Sequence, residues 1–214
     1  MSAAAQPARV KPTMRGVSHQ VAAVVALVAG GLLFNAAAAA DRAGIAVYGA
    51  CLCGLFTISA AYHRPNWQPA ARAWMRQLDH AGIFTLIAGT YTPICLLGVG
   101  GDEGERLLAW IWGGAALGIV KSLFWAHAPK PLTALLCLVL GWAVIGNWAQ
   151  LSGALGPTGV TLLLAGGGCY TAGALIYAAK RPDPWPAVFG YHEIFHALVV
   201  IAAALHFEMV WRLL

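Results

Sequence analysis

The chain has 214 residues, 60% of them hydrophobic and only 10% charged, and its mean hydropathy is +0.70. Soluble domains carry about 25% charged residues, so this composition describes an integral membrane protein and excludes disorder, a collagen-like repeat and a disulfide scaffold. The formal net charge of +5 comes from basic residues scattered through short loops, which leaves no basic patch for a nucleic-acid partner.

Residues 1–13, MSAAAQPARVKPT, are small, polar and Pro-containing, and read as a disordered cytoplasmic tail. A membrane helix needs about 20 apolar residues, and such runs follow at roughly 17–38, 43–62, 78–98, 107–125, 131–150, 157–178 and 188–211. They predict an all-α membrane bundle of seven transmembrane helices over residues 14–214. The connections carry turn residues: Arg64-Pro65-Asn66-Trp67, Gly100-Gly101-Asp102, Ala128-Pro129-Lys130-Pro131, Gly156-Pro157 and Arg181-Pro182-Asp183-Pro184-Trp185-Pro186. Ala36 to Ala40 before Asp41 also fit a signal-cleavage site that would leave six spans, but the first apolar run is longer than a signal core.

Assigning the tail and alternate loops to one side collects Arg9, Lys11, Arg15, Arg64, Arg72, Arg76, Lys121, Lys130, Lys180 and Arg181. Only Arg42, Arg106 and Arg212 fall on the other. The positive-inside bias then puts the amino terminus in the cytoplasm and the carboxyl terminus outside.

Within the runs, Cys51, Cys53, Cys95, Cys137 and Cys169 read as buried small side chains. Gly113-Gly114 and Gly166-Gly167-Gly168 should allow close helix approach. Pro93 should kink the third span, with neighbouring hydroxyls satisfying the freed carbonyls. Trp67, Trp74, Trp110, Trp112, Trp185 and Trp211 fall mostly near span ends and read as interfacial anchors.

Ionisable residues at membrane depth are costly and suggest a functional site. Here His63 ends the second span, Asp79 and His80 begin the third, and His192, Glu193 and His196 begin the seventh, all near the cytoplasmic face. His192 and His196 are four apart, so both rings lie on one helix face and could grip one metal ion. His63 would complete a three-histidine set that leaves a fourth position for water, and imidazole ligands suit Zn2+. Single histidines at helix ends, His19, His80 and His127, read instead as solvated or interfacial side chains, and His206, about 15 Å beyond His196, as a local packing group.

The strings Ser59-x-x-Tyr62-His63, Leu78-Asp79-His80-Ala81-Gly82-Ile83, Ala88-Gly89-Thr90-Tyr91-Thr92-Pro93 and Tyr191-His192-Glu193-Ile194-Phe195-His196 resemble the hemolysin III family. That family is the bacterial branch of the progestin and adipoQ receptor superfamily, and the resemblance runs from about Met14, with Arg15-Gly16 and His19 at its start, to Leu214. It implies zinc held at the cytoplasmic side by His63, His192 and His196, with Asp79 hydrogen-bonding the zinc-bound water and Ser59 one turn before the first ligand. It also implies a multi-pass protein of the bacterial inner membrane. The acidic first motif of eukaryotic receptors is not evident here.

The function expected on this basis is zinc-dependent, ceramidase-like hydrolysis of a membrane lipid, with Asp79 orienting and deprotonating water and Ser59 supplying a hydrogen bond. Membrane lipid is then the expected partner, and the oligomeric state is left open. Two alternatives stand beside it. His192-Glu193-Ile194-Phe195-His196 satisfies H-E-x-x-H, which in a metalloprotease makes the glutamate a general base; Glu193 could equally be structural, paired with Arg64, Arg76 or Lys180. The other alternative is a non-enzymatic protein stapled by zinc that senses, forms a pore or maintains the membrane.

Overall fold

A computed structural model describes residues 11–125 and 129–214. The tail residues 1–10, with Arg9, and the connection residues His127 and Ala128 lie outside the described residues.

Among the described residues the chain is all helical, with only an isolated bridge between Trp185 and Phe189. The helices are α1 (Val17–Ala36), α2 (Arg42–His63), α3 (Pro69–Pro93), α4 (Gly101–Phe124), α5 (Lys130–Gly141), α6 (Trp148–Ala179) and α7 (Tyr191–Trp211). Consecutive helices pack as neighbours and α7 returns against α1, closing a ring. Leu33, Ile45, Tyr48, Phe84, Ile111, Met209 and Val210 are buried between them, while Val24, Leu27, Leu117 and Phe124 face outward on the same helices. Helices apolar on both their inner and outer faces are what lipid surroundings require. Among the described residues six segments are long and apolar enough to cross a membrane, one of them the 48 residues of Leu132–Ala179.

Several boundaries differ from expectation for local reasons. α3 starts nine residues before its apolar run because Pro69 occupies the first turn, where its missing N–H costs nothing. Strong helix formers, Ala70, Ala71, Arg72 and Ala73, carry the helix onward. Asp79 and His80 therefore do not begin this helix; Asp79 sits ten residues in, about 15 Å along the axis. Past Pro93 the helix widens into a π-helix over Ile94–Val99, and Thr90 and Thr92 donate back to Leu86 and Ala88 carbonyls, each at 2.9 Å.

The fifth span breaks at Gly141 into a short 3-10 turn, Ala143–Asn147. The Tyr91 hydroxyl donates to Gly141 O at 2.7 Å and accepts from Val144 N at 2.8 Å, so the interrupted backbone remains satisfied in the interior. α6 bends at Gly156, whose φ of 62° only glycine adopts readily, just before Pro157.

Of the glycines read as contact points, Gly166 lies where an added Cβ would stand 2.3 Å from His206 Nε2, and Gly114 where it would stand 2.8 Å from Leu140. Gly113 and Gly168 face open space. His206, expected to pack or bond locally, instead reaches across from α7 to α6, where its Nε2 lies 3.2 Å from Leu163 O. All five cysteines are free, Cys95 fully buried. Trp67, Trp74, Trp110, Trp185 and Trp211 are exposed, whereas Trp112 turns inward and donates to Thr92 Oγ1 at 3.2 Å.

Candidate metal centre

α1, α3 and α7 begin, and α2 ends, at one end of the bundle. His63 is the last residue of α2, followed closely by Pro65, which cannot continue a helix. α7 is fixed in register by two carboxylates: Asp183 Oδ1 accepts from Tyr191 N at 3.1 Å, and Glu193 Oε2 accepts from Gly190 N at 2.8 Å. These satisfy backbone donors that a helix start leaves open. His192 and His196 thereby project from the first turns of α7 towards the end of α2.

The three histidines meet there. His63 Nε2 and His192 Nε2 are 3.3 Å apart, and the three potential ligand atoms all lie within 4.8 Å of one another. Two nitrogens held about 2.05 Å from a tetrahedral zinc are themselves separated by about 3.3 Å, so the His63 and His192 spacing fits one metal ion. Two ring nitrogens facing each other cannot both carry protons, so at least one of them presents a lone pair to the shared space. Nδ1 of His196 is buried without a hydrogen-bond partner, a nitrogen short of the kind of contact that a cation supplies. The three histidines could therefore hold a metal ion.

Asp79 and Ser59 come to the same place. Asp79 Oδ2 lies 3.7 Å from His63 Nε2, and the Ser59 hydroxyl interacts with the Asp79 side chain. Its closer partner, however, is His19 Nδ1 at 2.8 Å. The one hydroxyl can serve both, donating its proton to the Asp79 carboxylate while Oγ accepts from His19 Nδ1 in the tautomer that carries a proton there.

His19, expected as an interfacial side chain, is instead buried. Its ring stacks on that of His196 at 3.8 Å and 5° between planes, so a residue outside the candidate ligand set clamps one within it. His19 is the one ionisable side chain of α1, a signal that could have been read this way, although the partner could not.

Glu193 likewise finds a different partner. Its Oε1 pairs with Arg15, not with Arg64, Arg76 or Lys180, while Oε2 is held by Gly190 N. Both oxygens of this buried carboxylate are thus engaged, and neither is free to act on water as H-E-x-x-H chemistry demands. Gly16, next to Arg15, has φ 79°, and a Cβ there would stand 2.7 Å from His63 Cβ, so only glycine lets the chain turn so close to the cluster.

Of the cluster, His63 lies on the wall of a cavity of about 850 Å³, which Tyr62, Trp67 and Tyr191 also line and which His192, His196 and Asp79 do not. The segment before α1 forms one wall: Thr13 N donates to Ala187 O at 3.1 Å and Met14 N to Val188 O at 3.2 Å.

Comparison with known proteins finds similarity over most of the chain. A family model described as Haemolysin-III related matches residues 8–207. Hemolysin-3 of Bacillus cereus is 34% identical over 161 residues, covering 75% of this chain and 70% of that protein. A Hemolysin-3 homolog of Bacillus subtilis is 30% identical over 173 residues, covering 81% and 78%. Heptahelical transmembrane protein ADIPOR2 of rice is 31% identical over 157 residues, covering 64% and 68%.

Proposed function

The chain belongs to the Haemolysin-III related family, within the progestin and adipoQ receptor superfamily, and we propose that it is a zinc-dependent hydrolase of an acyl amide or ester bond in a membrane lipid. The observation that carries this reading is the juxtaposition of three imidazoles within one ion's reach with the Asp79 carboxylate, beside a cavity that His63 lines.

We read Leu132–Ala179 as two crossings, which makes seven. Its 48 residues would span about 72 Å as one helix, more than twice the ~30 Å hydrocarbon core, and its breaks at Gly141 and Gly156 permit a reversal. The cation-rich end, where the histidines meet, is then cytoplasmic, the carboxyl terminus external, and the membrane the inner membrane of a bacterium.

His63, His192 and His196 would hold the metal. Zinc supplies a Lewis acid that polarises the scissile carbonyl and makes water a stronger acid. Asp79 takes the proton of the attacking water and returns it to the amine or alkoxide that leaves when the C–N or C–O bond breaks. Ser59 steadies the Asp79 carboxylate in its proton-accepting position, and His19 steadies Ser59.

The description of two relatives as hemolysins favours a second reading, membrane lysis with zinc as a staple. The cavity beside His63 weighs against a purely structural metal, because closed structural sites have four protein ligands and no approach for substrate.

The first test is elemental analysis of detergent-purified protein, wild type beside His63→Ala and His192→Ala, followed by a lipid-hydrolysis screen with Asp79→Asn. One zinc per chain, lost in both histidine variants, with turnover falling at least ~100-fold in a zinc-loaded Asp79→Asn protein, is the expected result. No zinc uptake by folded wild type overturns the reading. Metal-dependent leakage of liposomes without turnover favours the second.

A further inference from the structure

We infer that the cavity beside the histidine cluster is an anion-reading vestibule, and that the lipid brought to Asp79 carries a phosphate or comparable anionic headgroup. The substrate assignment rests on the hydrolase reading above.

Three cations, Lys11, Arg15 and Arg72, line the cavity, with His63 on the same wall and Asp183 as the one acid among the lining residues. Asp183 is already committed through Oδ1 to the start of α7, and Arg15 to Glu193. Among the described residues, neither Lys11 nor Arg72 has a carboxylate within ion-pair distance. The Lys11 ammonium is aimed by neutral groups alone: it donates to Arg64 O at 2.7 Å and Pro65 O at 3.1 Å. Burial, and then the charges of Arg64, Arg15 and Arg72, hold its pKa below the usual lysine value. Those neighbours make the rim a set of like charges that an anion in their midst would relieve.

The positive-inside bias accounts for cations on this side of the membrane, but not for their gathering around one cavity. Arg76, Lys180 and Arg181 belong to the same end of the bundle and do not line it. Lys11 reaches the rim because the segment before α1 is laid along residues 187 and 188 by backbone hydrogen bonds. The other walls are flat and largely apolar, from Tyr62, Trp67 and Tyr191, and suit the carbons that follow a headgroup. A volume of about 850 Å³ falls in the range of pockets that enclose an organic ligand rather than a lone ion.

The test is binding, read separately from turnover. Zinc-loaded protein in detergent is titrated with phosphatidylglycerol or phosphatidylcholine of identical acyl chains, and occupancy is measured by native mass spectrometry. The wild type is expected to favour phosphatidylglycerol at least tenfold. Lys11→Gln/Arg72→Gln should lose most of that preference with its zinc content unchanged, and Arg72→Lys should keep most of it. Equal affinity for the two lipids, or a preference undiminished in the double variant, overturns the proposal. Inorganic phosphate that displaces phosphatidylglycerol at equal concentration overturns the lipid assignment in favour of a free anion. If the preference holds but neither lipid is cleaved, the hydrolase reading falls while the anion vestibule stands.

Discussion

Replacing His19 by alanine tests whether a side chain outside the candidate ligand set controls the metal centre. The ring is buried, bonded to Ser59 Oγ at 2.8 Å and stacked on His196 at 3.8 Å. Removing it leaves the buried Ser59 hydroxyl without its closest partner, at about 1–3 kcal/mol, and deletes a ring contact worth about 0.5–1.5 kcal/mol. The two together predict a loss of about 1.5–4.5 kcal/mol in stability. Groups that orient a metal ligand change metal affinity by about 10–100-fold, so His196, freed to rotate, should bind zinc more weakly by a factor in that range. Zinc affinity is measured by competition with a chromophoric chelator, and stability by thermal unfolding in detergent. Two further variants separate the contributions: His19→Phe keeps the stack and loses the hydrogen bond, while His19→Gln can keep the bond and loses the stack. If all three variants bind zinc as tightly as wild type, the clamping argument is refuted, even if they unfold earlier.

Glu193→Gln should retain hydrolysis, because both carboxylate oxygens are engaged elsewhere, but should lose about 1–3 kcal/mol in thermal unfolding through the weakened contact with Arg15; loss of turnover with unchanged stability would revive the protease mechanism. Gly16→Ala meets both a φ of 79° and a 2.7 Å contact with His63 Cβ, and should destabilise the protein by at least ~1–2 kcal/mol and reduce zinc content; a neutral result in both assays would show that the turn can move away from α2. Chelation should lower the melting temperature of wild type, since zinc at about 100 times its Kd contributes about 2.7 kcal/mol, and should leave that of His192→Ala unchanged. Equal shifts in the two proteins would place the stabilising metal elsewhere.

The helical class and the pairing of His192 with His196 were legible because both rest on local rules, while His63 was joined to them by its depth at the end of a span and by the family resemblance. An apolar run of membrane length needs no partner to be recognised, and a four-residue interval fixes two rings on one helix face wherever the helix goes. What escaped depends on how helices meet. Arg15 and His19 precede or begin α1, far in sequence from Glu193, Ser59 and His196, and no periodicity pairs them. The early start of α3 was hidden because alanines and arginines extend a helix without adding to an apolar run, and Asp79 moved inward with it. The break at Gly141 was masked for the opposite reason, its surroundings being uniformly apolar, while the group that satisfies the break, the Tyr91 hydroxyl, lies on another helix. Trp112 was misread because an indole near a helix end signals an interface only when it faces outward.

The separation of 129 residues between His63 and His192 has a consequence for biogenesis. Chains are synthesised at about 5–20 residues per second, so roughly 6 to 26 s pass between emergence of the first candidate ligand and the second. Through that interval His63, Asp79, Ser59 and His19 stand at one end of an unfinished bundle, with α7 absent and the ring of helices open between α1 and α6. The arrival of the last helix delivers two candidate ligands, the counter-ion of Arg15 and the final wall together, so a metal held by all three histidines would be captured only as the bundle closes.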